Sequence, residues 1–151
     1  MTLSILSILA ALILPSAHLM AKRNREIELR RDLRVIRNAI DDYKKVMDDA
    51  CIKAPAAQGC TVGETRYPKS FDVLVDGVDI PSSVKSENRK FLRKVPCDPF
   101  RTDKSVTCDK SWGLRAYSDK ECSDKLGGND IYDICSLSEE TAIDGTKYKE
   151  W

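Results

Sequence analysis

The chain has 151 residues, room for one domain plus an extension. Its 25 basic and 24 acidic residues nearly cancel, so no global field argues for nucleic acid as a partner. The charge is unevenly spread: residues 1–21 carry no Asp, Glu, Lys or Arg, whereas residues 22–37 hold seven basic and three acidic side chains.

Residues 3–17 read LSILSILAALILPSA. A segment apolar on every side lies in lipid or deep inside an assembly. It is shorter than the ~20 apolar residues that span a bilayer. Three readings stand: a secretory signal peptide, a plain membrane anchor, and a helix that sits first in a membrane and later in a filament core. The signal peptide fits least well. No Lys or Arg precedes the apolar run, and cleavage after Ala17 or Ala21 would put Pro15 or Leu19 where a small residue belongs. Pro15 removes one backbone donor, so a kink or an opened turn is expected there.

No Pro or Gly occurs from residue 21 to 49. Apolar residues recur at Leu29, Leu33, Ile36, Ile40, Tyr43 and Met47, at spacings of 4, 3, 4, 3 and 4. This stripe predicts a helix over residues 3–49 with one face on a core. Such a rod is ~70 Å long, more than a head of this size can cover, so part of it projects. Glu26 with Arg30 and Asp41 with Lys45 stand in the favoured i,i+4 order.

The remainder reads as a small head. Residues 50–65 are a loop. Ser70 caps a short helix over residues 71–75 that Gly77 ends. A second short helix is expected over residues 86–95, with Phe91, Leu92 and Val95 inward and Pro96 as its stop. Residues 112–117 alternate, placing Trp112, Leu114 and Ala116 on one face of a strand. The turn signal at residues 126–130 leads into a second strand over 131–136, with Ile131 and Cys135 on one face. A third short strand ends at Trp151. The expected fold is α+β, a long helix packed on a small antiparallel sheet. It divides into an apolar helix segment (1–21), its amphipathic continuation (22–49) and a globular head (50–151).

All six cysteines, Cys51, Cys60, Cys97, Cys108, Cys122 and Cys135, fall after the helical part. None is spaced Cys-x-x-Cys, so zinc ribbons and thioredoxin-like sites are poorly supported. Three disulfides formed in an oxidising compartment are the economical reading. Six cysteines allow fifteen connectivities. Pairing neighbours (51–60, 97–108 and 122–135) closes three short loops and is the expectation. Each bridge contributes ~2–4 kcal/mol, comparable to the whole stability of a marginal domain.

Enzyme chemistry finds no footing. The only histidine is His18, beside the apolar segment. No Cys–His or Ser–His–Asp set can be placed in the head, and the Gly127–Gly128 pair reads as a turn, not a phosphate loop. No catalytic residue is assigned. A third class is a monomeric anchored binding module, with Trp112, Tyr117, Tyr132, Tyr148 and Trp151 as candidate ligand-facing aromatics.

Several blocks in order resemble the type IV pilin superfamily, in particular the G-type major pseudopilins of type II secretion. They are ILAALILP (8–15), EIELRRDLRVIRNAIDDYK (26–44), YPKSFDVLVDGV (67–78), FLRKVPCDPF (91–100), WGLRAYS (112–118) and DIYDICSLSEETAIDGTKYKEW (130–151). The resemblance implies a structural subunit of a pilin-like filament, either a type II secretion pseudopilus or a type IV pilus. The alternative is an inner-membrane-anchored periplasmic binding module or a minor tip subunit. It implies a filament core built from Leu3, Leu6, Leu9, Leu12, Leu14 and Pro15. The partners it implies are further copies of the chain in a helical homopolymer, the inner-membrane assembly platform and prepilin peptidase, with the membrane as host before assembly. The implied location is the inner membrane, then a periplasmic or extracellular filament.

The family's basic leader and its conserved glutamate have no counterpart here. If Pro15 matches the family's helix proline, about seven residues of the mature helix precede Met1, restoring the ~20-residue apolar span. Members of the G-type group hold calcium in the C-terminal loop. Asp130, Asp133 and Asp144, with Glu139 and Glu140, are a thin set for an ion that takes six to eight oxygens. The expectation is no cofactor, with disulfides in place of the metal as loop staples. Charged contacts between subunits are expected at Arg30, Arg34 and Arg37 against Asp41 and Asp42, so reversing Arg30 and Arg34 should block assembly.

Overall fold

The computed structural model describes residues 2–53, 60, 63–80, 87–101 and 103–151, with side chains of the first helix from Ala17 onward. Its elements are α1 (Thr2–Lys53), α2 (Phe71–Asp76), β1 (Val78–Ile80), β2 (Glu87–Arg89), β3 (Trp112–Arg115) and β4 (Asp133–Ser136). Two single 3₁₀ turns, Cys108–Lys110 and Tyr148–Glu150, complete it. The fold is α+β. Two separate antiparallel two-stranded sheets, β1–β2 and β3–β4, stand where one sheet was expected.

The 52 residues of α1 run to about 78 Å. The helix continues through Pro15 without a break and ends four residues later than expected, at Lys53. Leu29, Leu33, Ile36, Ile40 and Tyr43 are buried, as their spacing requires, and Met47 is partly buried against them. They pack on Phe71 and Leu74 of α2, Trp112 of β3, Ile134 of β4, and Phe100 and Tyr148. Tyr43 meets Phe91 edge to face at 5.3 Å, and Phe100 stacks on Tyr148 at 4.1 Å. Among the described side chains of α1 the first buried one is Glu26; residues 17–25 are exposed apart from half-buried Lys22.

The 86–95 helix is corrected. Ser86 lies outside the described residues, and residues 87–89 form β2, paired with β1 in the register Val78–Arg89, Asp79–Asn88 and Ile80–Glu87. Gly77 sets this up. Its φ of 90° turns the chain out of α2, and a Cβ there would lie 2.4 Å from Asn88 Oδ1 and 2.7 Å from Arg89 O. Both Phe91 N and Leu92 N donate to Leu74 O, so Leu92 is still carried into the core and Phe91 against it, but on an extended chain.

In the second sheet Leu114 pairs with Ile134 and Gly113 with Cys135. Paired residues share a face, so Trp112, Leu114 and Ile134 face one way and Cys135 the other. Ile131 is buried ahead of β4 rather than within it. The strand expected at Trp151 is also corrected. A lone bridge joins Thr141 to Lys147, and the chain then turns through Tyr148–Glu150. The bond from the Tyr148 hydroxyl to the helix holds that turn in place of a strand. The disulfides are Cys51–Cys60, Cys97–Cys108 and Cys122–Cys135.

Candidate functional site: the two faces of the long helix

The side of α1 toward the head carries a polar row beside the apolar stripe. Lys22 Nζ donates to Thr141 O at 2.6 Å. One turn on, Glu26 Oε1 accepts from Ile143 N and from the Tyr148 hydroxyl, both at 2.8 Å. Arg30 Nη2 reaches Asp144 Oδ2 at 3.0 Å, and its guanidinium lies 3.9 Å from the centre of the Trp151 ring. Arg37 donates to Asp133 Oδ1 (2.7 Å), Ile134 O (2.9 Å) and Trp151 O (2.6 Å). These rungs at 22, 26, 30 and 37 grip residues 133–151 along four turns of helix. The last of those residues tie to each other, with Trp151 Nε1 donating to Thr146 Oγ1 at 2.7 Å.

Glu26 is buried and Tyr148 fully so. Burial, and behind it the Glu26 carboxylate, pushes the Tyr148 phenol well above its ordinary value. The Thr146 hydroxyl and backbone N–H, and to a lesser degree Arg30, hold the exposed Asp144 carboxyl below its ordinary value. Sequence reasoning paired Glu26 with Arg30. The structure sends them to different partners on the C-terminal segment. The sign that was available is positional: Glu26 lies three residues before Leu29, where the apolar stripe would continue.

The expected subunit contacts divide accordingly. Arg30 and Arg37 are engaged within the chain. Arg34 is exposed and, among the described residues, donates only to Arg30 O, at 3.2 Å. Asp41 is exposed, and Asp42 has Lys45 at 3.7 Å on an open surface. The expected Asp41–Lys45 pair is replaced by this contact and by Lys44–Asp48 at 2.7 Å. The filament-core residues Leu3, Leu6, Leu9, Leu12, Leu14 and Pro15 lie on the helix backbone, but their side chains are outside the described residues. Among the described residues no helix is long and apolar enough to cross a membrane.

The calcium candidates do not converge. Asp130 accepts from the Thr65 hydroxyl and from Tyr117 N. Asp133 takes Arg37 and Arg115, the latter at 2.7 Å. Asp144 takes Arg30 and Thr146. Among the described residues no group of three or more His, Cys, Asp or Glu is placed to hold a metal ion. Each acid already has donors of its own, so the set does not fit calcium.

Of the five aromatics considered for ligand binding, Trp112 and Tyr148 are core. Tyr117 and Tyr132 are exposed and pack with Tyr67 at centroid separations of 5.1 to 6.1 Å. This cluster borders a groove of about 960 Å³ that also touches Arg66 and Asp130. A carboxylate that sequence reasoning passed over is Asp98. It is buried, accepts from Phe100 N (2.8 Å) and the Ser136 hydroxyl (2.6 Å), and is pushed up by burial against those two bonds.

No family model matches the chain, and no curated protein or solved structure matches it.

Proposed function

We propose that the chain is a structural subunit of a type IV pilin-like filament, of the secretion-pseudopilus or pilus kind, and that it works by assembly rather than catalysis. The observation that carries this reading is the division of α1. Its second half is fastened to a disulfide-stapled head, while residues 2–21 extend N-terminal to the fastened part for ~30 Å and are uncharged throughout. The ordered likeness to pilin blocks is its second support.

In this account the apolar helix waits in the inner membrane with the head in an oxidising compartment, where its three disulfides persist. An assembly platform then moves it into a helical bundle. Lipid contacts are exchanged for helix–helix packing, so apolar burial changes little and polar contacts decide register. The polar row on the head side keeps the C-terminal segment fixed while the helix is pulled. Replacing Leu6, Leu9 and Leu12 together by Ser tests this in the producing cells. Loss of sheared filaments with the three disulfides intact is the expected result, and unchanged filaments would refute it.

The cluster of exposed Tyr117 and Tyr132 with half-buried Tyr67, beside its groove, favours a second reading, an anchored binding module or minor tip subunit. Protein found at filament ends alone, or only as monomer in membranes, would favour it.

A further inference from the structure

Assembly through α1 makes no use of the groove of about 960 Å³ on the head. Its walls are pinned. The Thr65 hydroxyl donates to one oxygen of Asp130, and Tyr117 N donates to the other at 3.1 Å. The next residue, Arg66, pairs through Nε with Asp48 of α1 at 2.5 Å, and Asp48 also takes Lys44 at 2.7 Å. Arg66 has a φ of 58°, the one non-glycine residue at positive φ among the described residues. Side chains are uncommon in that left-handed region, and they stay there where the surroundings hold them. Here the Asp48 pair and the Thr65 bond do so. The wall is set before a ligand arrives, which lowers the ordering cost of binding. On the other side, Tyr67 and Tyr117 line the groove with rings only 21° from parallel, and Tyr132 stands across them at 86° and 88°. Lys44 lies 5.4 Å from the Tyr67 ring centre, and Arg115 lies 5.2 Å from that of Tyr132. The Tyr117 ring, 63% exposed, has no such cation among the described residues.

We infer that this groove is a binding site for a neutral oligosaccharide, with one sugar ring stacked on Tyr117 and its hydroxyls bonded to Asp130, Asn129 and Ser118. A sugar ring has a C–H face, which suits the electron-rich face of a tyrosine, and a rim of hydroxyls. Each Asp130 oxygen keeps a lone pair beyond its internal bond, and the exposed Asn129 amide offers both donors and an acceptor. Charge argues for a neutral ligand, since Glu64 and Asp130 offset Arg66 and Lys69 around the groove. Geometry argues against a peptide. An added strand needs a sheet edge, and a docked helix needs an apolar floor and rim. The rim at residues 63–69, 117–118 and 128–130 is turn and loop, and it is polar. A concave site with rigid aromatic faces and a few convergent polar groups is what a small oligosaccharide requires. The inference goes beyond assembly. It supplies a ligand class for the second reading above and holds equally for a head carried on a filament.

The test is titration calorimetry on the oxidised full chain, in a detergent without a sugar headgroup. The probes are maltohexaose, cellohexaose and the hexamer of N-acetylglucosamine, with hexagalacturonate as the charged comparison. At least one neutral hexamer should bind with a Kd below about 1 mM, and added salt should change that Kd by less than about twofold. Tyr117→Ala should weaken it by about tenfold or more, while Tyr117→Phe, which keeps the ring face, should stay within about threefold. Asn129→Ala should weaken it by about threefold or more. Both side chains are exposed, so near-ultraviolet dichroism and the three disulfides should match the parent; where Tyr117→Ala fails that check, Asn129→Ala decides. No binding of any neutral hexamer at about 5 mM would overturn the inference. So would binding that both alanine variants leave unchanged, or binding of hexagalacturonate alone that salt weakens. None of these results bears on sheared filaments, so the filament reading stands or falls separately.

Discussion

Glu26→Ala should loosen the C-terminal segment from the helix. The carboxylate accepts two hydrogen bonds at 2.8 Å, one from the fully buried Tyr148 hydroxyl and one from Ile143 N. Hydrogen bonds to a charged group are worth ~1.5–3 kcal/mol each, and a buried donor left without a partner costs ~1–3 kcal/mol. Ile143 sits at an exposed turn, so water can replace the carboxylate there more easily than at Tyr148. The expected loss is about 3 kcal/mol, or about 6–12 °C in Tm for a chain of this size. Glu26→Gln, which keeps an acceptor and loses the charge, should cost about 1 kcal/mol. Thermal unfolding of oxidised, detergent-solubilised protein, followed through the tyrosine and tryptophan dichroism, measures both. A Glu26→Ala variant within about 0.5 kcal/mol of the parent would show that the polar row does not hold the segment.

Asp98→Asn should be neutral or stabilising by about 1 kcal/mol at pH 7, because burial raises that carboxyl and its ionisation is a cost. A carboxyl raised in the folded state favours folding below its unfolded value and loses that favour as pH rises through the folded one. The gain from Asn should therefore vanish in acid, and paired denaturation curves at pH 3 and 7 check it. Tyr148→Phe should remove an alkaline sensitivity. Above pH ~10 the unfolded phenol loses a proton that the folded one keeps, so parent stability falls by up to ~1.4 kcal/mol per pH unit for that group. Gly113→Ala should block one bridge, since a Cβ there would lie 2.6 Å from Cys135 Sγ and 3.1 Å from Cys122 Sγ. Two titratable thiols and a stability loss of ~2–4 kcal/mol are expected, and a fully oxidised variant of parental stability would contradict it.

The parts of the fold legible in sequence were those with a long or locally enforced signal. The stripe from Leu29 to Met47 repeats often enough that a helix is the only period it fits. Ser70 and Gly77 bracket α2, and the 126–130 turn leads from the third strand region into β4. Neighbour pairing of the cysteines was readable because each bridge closes a short loop. The β1–β2 ribbon was not legible. Its strands are three residues each, and Glu87-Asn88-Arg89 has no alternation to read. What places it is Gly77 and the two amides that share Leu74 O, both tertiary facts.

The candidate site followed the same rule. The basic run was visible, but local spacing could not tell Arg30 and Arg37, which bond to residues 133–151, from Arg31 and Arg34, which do not. Only the packed direction of the stripe separates them. Glu26 was misassigned because an i,i+4 partner in the right order was at hand, while its actual partners lie 117 and 122 residues away.

The measurement that bears most directly on the central claim is cryo-electron microscopy of material sheared from producing cells. The account predicts a helical filament with α1 in its core, the disulfide-stapled heads outside, and successive copies displaced along the axis. Finding the chain only as a monomer in the membrane fraction, with no filament containing it, would contradict that account.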